Sequence, residues 1–187
     1  MKLFETFKEK ELILRSRKGD TTAFGELCQL YRKPLYTYVL RMVGNSDNAK
    51  DVLQETLIKM WNGLKRYNEQ NKFSSWVFTI AHYSALDNLR KTRLANNHLE
   101  ISDQIYAEES DNPHNIAVAN ETKSIIEKFI NNLPEKQKQV FLLRQHGEMS
   151  FKEISELINE PLNTVLGHMY YAVKKLRKSL KEEYVRQ

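Results

Sequence analysis

The 187-residue sequence has little of what secreted, membrane and metal-binding proteins depend on: it contains one cysteine, six glycines and four prolines. A single cysteine, Cys28, excludes an internal disulfide and a cysteine-based zinc site. No run of roughly 18 or more uncharged apolar residues occurs, which excludes a membrane-inserted segment. The N-terminus is too charged for the apolar part of a signal peptide. We therefore expect a cytoplasmic protein.

Sequence motifs of catalysis are also lacking. The five histidines show no metal-ligand spacing such as HExxH, and the glycines form no phosphate-binding loop. We predict a protein that is not an enzyme and that binds no metal or cofactor. Cys28 shares an apolar helical stripe with Phe24, Leu27 and Tyr31, which predicts a packing role for its thiol.

The charges are distributed unevenly along the chain. Residues 1–95 carry 17 Lys and Arg against 10 Asp and Glu, residues 96–123 carry one against six, and residues 124–187 carry 11 against eight. Two basic modules around an acidic connector are typical of nucleic-acid-binding proteins. On charge alone, the solvated surfaces of two helical domains explain this pattern equally well.

Apolar residues recur with a helical period along almost the whole chain, which predicts an all-α protein. In the first half, helices are expected over about residues 7–18 and from Thr21 to Val43. A third helix is expected to begin at an N-cap provided by Ser46 or Asp47. A polar loop follows it, after which Ser74 can cap the fourth helix.

The periodicity is lost over residues 96–121, which we interpret as an acidic linker between two small helical domains, 1–95 and 122–187. In the second domain a capping box, Ser150–Glu153, opens a short helix. After a tight turn, Asn163 is expected to cap the last helix. This succession predicts a C-terminal helix-turn-helix.

The third helix has an outward stripe on which acidic and amide groups surround one apolar side chain. Its members are Asp51, Gln54, Glu55, Ile58 and Asn62. An acidic face with an apolar centre is typical of docking onto a basic protein surface.

The fourth helix combines aromatic and cationic residues: Trp76, Tyr83 and Arg90 share a stripe, and Lys91 lies near its end. Aromatic rings stack on bases and cations neutralise phosphates, so this stripe predicts contact with single-stranded nucleic acid. The alternative is that Trp76 and Phe78 belong to the core and that the cations follow the electrostatic preference of helix C-termini.

These segments resemble a known family. Residues 51–56 and the segment between 73 and 91 resemble the second conserved region of bacterial extracytoplasmic-function sigma factors, and the segment between 133 and 154 resembles their fourth region. The resemblance covers roughly residues 10–94 and 122–182, in the family's order and with its spacer. Two matches in one short chain are more specific than either alone.

The resemblance implies a protein that binds core RNA polymerase and directs transcription initiation by recognising and opening promoter DNA. Asp51, Gln54, Glu55 and Ile58 would bind the clamp helices of the polymerase, and the second domain would bind its flap and the minus-thirty-five element. An anti-sigma factor is a further partner that the family allows. The residues implied in capturing the minus-ten element are Lys72, Phe73, Ser75, Trp76, Tyr83, Asn88, Arg90 and Lys91.

The recognition helix of the second domain departs from the family, which usually carries Lys, Ser and Arg where this chain has uncharged residues. Each bidentate contact to a base is worth about 1–3 kcal/mol of discrimination, whereas exposed Leu and Tyr are typical of protein interfaces. Two interpretations stay open, a different base preference and a protein-binding face. The residues on that face are Asn163, Thr164, Leu166, His168, Tyr170, Tyr171, Lys174 and Lys175.

A smaller departure lies at His82 and Tyr83, where the family commonly has Arg and Asn, so recognition of the minus-ten element is expected to be relaxed or altered. Together the two departures lead to the hypothesis that a separate DNA-binding partner delivers the chain to its site. An RNA-guided DNA-binding protein is one such partner. Two alternatives remain: an ordinary helix-turn-helix regulator, and a sigma-like adaptor that does not initiate on its own.

Overall fold

The computed structural model describes residues 2–68, 72–96, 126 and 128–184, and the regular elements within these ranges are helices. The all-α prediction is confirmed. The chain divides into two compact units, Met1–Ile105 and Tyr106–Gln187. Most of the predicted linker, 97–121, lies outside the described residues, so the domain boundaries stay predictions.

The first unit contains four described α-helices: α1 (Lys2–Arg17), α2 (Thr21–Val43), α3 (Ser46–Gly63) and α4 (Phe73–Asn96). A 3₁₀ turn, Leu64–Arg66, follows α3 directly. Helix α2 packs against α1, α3 and α4, and α3 also packs against α4. This arrangement buries one apolar stripe of each helix and leaves the opposite stripe of α3 to solvent.

Two helix starts differ from the predicted caps. Asn45, rather than Ser46 or Asp47, caps α3, and its side-chain oxygen accepts two backbone N–H hydrogen bonds at 2.9 Å. Asn is as good an N-cap as Ser, so the cap is placed by the extended backbone of Asn45 rather than by residue type. Ser74 lies inside α4, which begins at Phe73.

The core of the first unit joins α2 to α4. Tyr38 and Phe78 are fully buried and meet edge to face with ring centroids 5.3 Å apart. Cys28 lies at the margin of this core, where burial raises the pKa of its thiol to about 11. A thiol held neutral in this way acts as a small apolar group.

The second unit contains a helical segment at 128–131, followed by α5 (Glu135–His146), α6 (Phe151–Ile158) and α7 (Leu162–Tyr184). Helix α7 packs against both α5 and α6. The buried apolar residues of these three helices are Val140, Phe141, Leu142, Leu143, Ile154, Leu157, Ile158, Val165 and Ala172.

The turn between α6 and α7 gives the helix-turn-helix its shape. The capping box predicted at the start of α6 is confirmed, because the Ser150 hydroxyl accepts from the Glu153 N–H and the Glu153 carboxylate accepts from the Ser150 N–H. Asn159 ends α6 in the left-handed conformation, with φ of +52°. The prediction that Asn163 caps the last helix is wrong, because α7 already begins at Leu162. The Pro161 carbonyl accepts hydrogen bonds from the Thr164 and Val165 N–H groups at the start of the helix.

Candidate protein and nucleic-acid interfaces

The predicted docking stripe of α3 lies on the surface of the first unit. Asp51 and Gln54 are exposed, and Ile58 keeps 53% of its surface in contact with solvent. Glu55 differs from them because it is half-buried and its carboxylate pairs with the Lys59 ammonium at 2.6 Å. The stripe therefore presents the apolar side chain of Ile58 beside an exposed acid, Asp51, and an exposed amide, Gln54.

A pocket of about 370 Å³ opens between the end of α3 and the first turns of α4. Its lining residues are Lys59, Gly63, Arg66, Trp76, Ile80 and Tyr83. Only Trp76 and Tyr83 were predicted from the sequence. Ile80 belongs to α4, whereas Lys59 and Gly63 come from α3 and Arg66 comes from the 3₁₀ turn. These last three are spaced by three to four residues, and that spacing acquires a meaning only once α3 is paired with α4.

The chemistry of this pocket combines two aromatic rings with two cations. Tyr83 is 52% exposed, and Trp76 is half-buried. The Lys59 ammonium is held in place by Glu55 and by a 3.0 Å hydrogen bond to the Ser84 hydroxyl. Rings that offer a stacking face beside cations suit a nucleotide with its phosphate.

Two residues predicted to contact DNA are buried instead. Phe73 is 4% exposed and packs against Tyr31, Tyr67 and Trp76, with ring centroids 5.1–5.4 Å apart. Ser75 is 5% exposed. Both side chains lie on the core side of α4, so the burial speaks against a DNA contact by either residue, and their assignment to the DNA surface stays a prediction. Phe73 supports the Trp76 ring from behind.

His82 and Tyr83 have opposite environments although they are adjacent. His82 is 2% exposed, and its Nδ1 lies 2.8 Å from the Tyr38 hydroxyl oxygen. Tyr83 points outwards. A buried histidine bonded to a core tyrosine fixes the rotation of α4 about its axis, and only Tyr83 can act on a ligand.

The remaining predicted residues of this surface are distributed along α4. Lys72, Arg90 and Lys91 are exposed, and the Arg90 guanidinium donates to Asp87 at 3.0 Å. Asn88 is only half-exposed. Arg90 and Lys91 therefore lie near the C-terminal end of α4, about two helical turns after Tyr83 of the pocket.

In the second unit, the predicted recognition face lies on α7. Asn163, Thr164, Lys174 and Lys175 are exposed. Large apolar or aromatic side chains of α7 are exposed with them, namely Leu162 at 43%, Leu166 at 42%, Tyr170 at 63% and Tyr171 at 55%.

His168 is the exception on this helix. Its Nε2 lies 2.8 Å from a Glu160 carboxylate oxygen, and the same carboxylate pairs with Lys136 at 3.2 Å. Partial burial alone would raise the pKa of Glu160, but hydrogen bonds with Lys136 and His168 outweigh it and hold the pKa below its usual value. His168 is thus half-buried beside the inter-helix turn, and its role on the recognition face stays a prediction.

Within the described residues, no helix is both long and apolar enough to cross a membrane. The same part of the chain contains no cluster of three or more His, Cys, Asp or Glu side chains that could hold a metal ion.

Comparison with known proteins decides the family. The family model described as Sigma-70 region 2 matches residues 27–94, and the one described as Sigma-70, region 4 matches residues 123–176. The chain is 30% identical to the ECF RNA polymerase sigma factor SigW of Bacillus subtilis over 92% of its own length and 97% of that protein. The chain belongs to the extracytoplasmic-function sigma factors. Such factors bind DNA and RNA polymerase in transcription initiation.

Other relatives agree with this assignment. The ECF RNA polymerase sigma-E factor of Escherichia coli strain K12 is 28% identical over 90% of this sigma factor and 92% of that protein. Among solved structures, RpoE from Bartonella quintana in complex with the anti-sigma factor NepR has a TM-score of 0.71 and 18% identity, covering 84% of this chain and 96% of that one. CnrH in complex with the cytosolic domain of CnrY has a TM-score of 0.65 and 18% identity, covering 94% and 98%. These two structures show the same fold.

Proposed function

We propose that this sigma factor binds core RNA polymerase through the exposed stripe of α3 and opens promoter DNA at the pocket between α3 and α4. The observation that carries the proposal is that α3 contributes to both surfaces. One stripe presents Asp51, Gln54 and Ile58 to a protein, and the end of the same helix forms a wall of the pocket. A melted strand captured there is held close to the bound polymerase.

The polymerase contact is supported by the exposure of an apolar residue among polar ones. Ile58 is exposed among polar side chains, and an apolar residue ringed by polar groups is typical of an interface centre. Asp51 and Gln54 supply hydrogen-bond acceptors at its edge. The basic clamp helices of the polymerase are the complementary surface that the family resemblance implies.

Strand capture is supported by the rings and cations of the pocket. A base unstacked from the duplex can stack on Tyr83 or Trp76, while Lys59 and Arg66 approach its phosphate. Because Tyr has one hydroxyl and no amide, it discriminates among bases less than the Asn that is common in the family. Recognition of the minus-ten element is accordingly relaxed.

In this proposal the second unit recognises the minus-thirty-five element weakly. A separate DNA-binding protein, which can be an RNA-guided one, delivers the sigma factor to its site. The support is the first two turns of α7, where Leu166 and Tyr170 stand outwards and His168 is engaged by Glu160. No side chain there can make the bidentate guanine contact that Arg makes.

A binding and initiation assay with the full chain tests the proposal. Core polymerase is titrated with the sigma factor, and short transcripts are measured on a template whose minus-ten strand is already separated. We expect tight binding and initiation, and we expect the exposed substitution Ile58→Arg to weaken polymerase binding by about tenfold or more.

Gln29→Ala, at an exposed position of α2 away from the stripe, is the matched control and should bind as the natural chain does. Equal binding by both variants would contradict the polymerase contact. Binding without any transcript would make the chain an adaptor that does not initiate.

A further inference from the structure

A groove of about 970 Å³ runs along the exposed side of α7 in the second unit. Phe151 of α6 forms one edge, where the Arg144 guanidinium lies 5.1 Å from its ring centroid. The described residues of α7 that line the groove are Leu166, Met169, Tyr170, Tyr171, Val173, Lys174, Lys175, Arg177, Lys178 and Lys181.

The N-terminal half of this groove is apolar and aromatic. Leu166, Tyr170 and Tyr171 are each 42–63% exposed, and Met169 and Val173 complete a continuous stripe at helical spacing. Single exposed apolar residues are ordinary on protein surfaces, but a contiguous group lining a groove marks an interaction site.

The C-terminal half is cationic. Lys174, Lys175, Arg177 and Lys181 are all exposed, and no acidic residue is found among the described lining residues. A partner that covers the apolar half without meeting repulsion must therefore carry acidic groups on the end that overlies these cations.

The dimensions favour a helix as the occupant. From Leu166 to Lys181 the groove follows α7 for 15 residues, which at the rise of an α-helix is about 22 Å. That is roughly four helical turns, the length of the amphipathic helices that bind in grooves through positions spaced by three and four residues.

Double-stranded DNA is the weaker candidate for the apolar half. The first cation after Leu166 is Lys174, two turns further and about 12 Å along the axis. His168, between them, is turned to Glu160 at 2.8 Å. Base edges placed against the start of α7 would meet Asn163 and Thr164 and then Leu166 and Tyr170. None of these side chains can make the bidentate contact to guanine that Arg makes.

We propose that this groove of α7 binds an acidic amphipathic helix of a partner protein, with its apolar stripe on Leu166 and Tyr170 and its acidic end on Lys174 and Arg177. The inference deepens the proposed function, because it names the surface through which a delivering partner holds the sigma factor.

Fluorescence anisotropy with the full chain tests the groove. The probe is a labelled synthetic helix of about four turns, with leucines on one face and glutamates at one end. A second peptide of the same composition has its leucines scattered around the helix, and a labelled DNA duplex is the third probe. We expect the amphipathic peptide to bind about tenfold or more tightly than the scattered one.

The triple variant Leu166→Ser, Tyr170→Ser, Tyr171→Ser should lose that preference, whereas Leu30→Ser, at a 49% exposed apolar site of α2 in the first unit, should retain it. The double variant Lys174→Glu, Arg177→Glu should weaken the binding of both peptides. Equal binding of the two peptides, or an unchanged triple variant, would overturn the proposal. So would a triple variant that alters the sequence preference for duplex DNA, or dimers of the free chain that this variant abolishes.

The two proposals fail separately. Initiation on the separated template involves no peptide. Transcription without selective peptide binding would therefore contradict only the proposal that the groove binds a partner helix. Selective peptide binding by a chain that does not initiate would remove only the proposed function.

Discussion

Helix α4 of the first unit and helix α7 of the second both carry exposed tyrosine together with lysine and arginine, but they distribute these side chains differently. Around α4, Tyr83 and Trp76 meet Lys59 and Arg66 of neighbouring elements in one pocket of about 370 Å³. Along α7, Leu166 and the tyrosines come first, and the cations begin about one turn after Tyr170 and continue to Lys181. A nucleotide needs ring and cation within its own length, whereas a helix several turns long can use them in succession.

The largest expected effect separates the buried face of α4 from the exposed face of α7. Phe78→Ala removes a fully buried ring that packs on Tyr38 at 5.3 Å. The loss should lower the free energy of unfolding by about 3–5 kcal/mol. Urea unfolding of the full chain, with fluorescence detection, measures it. Tyr170→Ala on α7, a 63% exposed site, is the comparison and should change stability by no more than about 0.5 kcal/mol. Similar losses for both would mean that α7 is packed in a way the structure does not show.

The second effect separates the two tyrosine surfaces by ligand. Tyr83→Ala should weaken binding of single-stranded minus-ten DNA by about 1–3 kcal/mol, because one base loses its stacking partner. Tyr171→Ala should leave that affinity unchanged. Anisotropy of a labelled single strand with the sigma factor and core polymerase gives both values. If Tyr171→Ala were the more damaging change, strand capture would belong to the second unit.

A smaller effect uses the glycines inside helices. A Cβ added at Gly167 meets no atom within 4 Å, so Gly167→Ala should stabilise the chain by about 0.5–1 kcal/mol through helix propensity alone. Gly25→Ala in α2 has equally open surroundings and should give a similar gain. Both are read from thermal unfolding. A loss of stability at Gly167 alone would indicate a contact on α7 that its exposed surface hides.

The smallest effect concerns the contact that holds His168. The pKa of Glu160 is lowered in the folded chain, so its contribution to stability is present above the usual carboxyl pKa and is lost as the pH falls through the lowered value. Because the group is partly exposed, we expect roughly 0.2–1 kcal/mol. Glu160→Gln should remove this pH dependence, and unfolding curves between neutral and acidic pH would show it. An unchanged pH profile in Glu160→Gln would contradict the role of this carboxylate.

The sequence was sufficient for the helical class and for the stripes that α3 and α7 present to solvent, because helical period and burial are coupled locally. The sequence did not predict the environment of a side chain where that environment depends on a neighbouring helix. Lys59, Gly63 and Arg66 join the pocket only because α3 packs against α4. Phe73 is buried because Tyr31 of α2 and Tyr67 after the 3₁₀ turn pack against its ring, and these contacts depend on how the neighbouring elements pack.

His168 illustrates a different limit. Its place in the helix pattern is outward, but the turn carries Glu160, and the attraction between imidazole and carboxylate decides the orientation. No helical periodicity encodes that pair, since the two residues belong to different elements. His82 was similarly grouped with Tyr83 by sequence, although the Tyr38 hydroxyl holds it inside the core.

Transcription in vitro on random-sequence templates, with core polymerase and no other protein, tests the central claim that the first unit opens DNA while α7 does not select it. The account predicts tight polymerase binding, with starts that share at most a short minus-ten preference and no common upstream element. Transcripts that share a two-part motif, with the upstream half lost in the Leu166→Ser, Tyr170→Ser, Tyr171→Ser variant, would contradict it and make α7 a promoter-recognition helix.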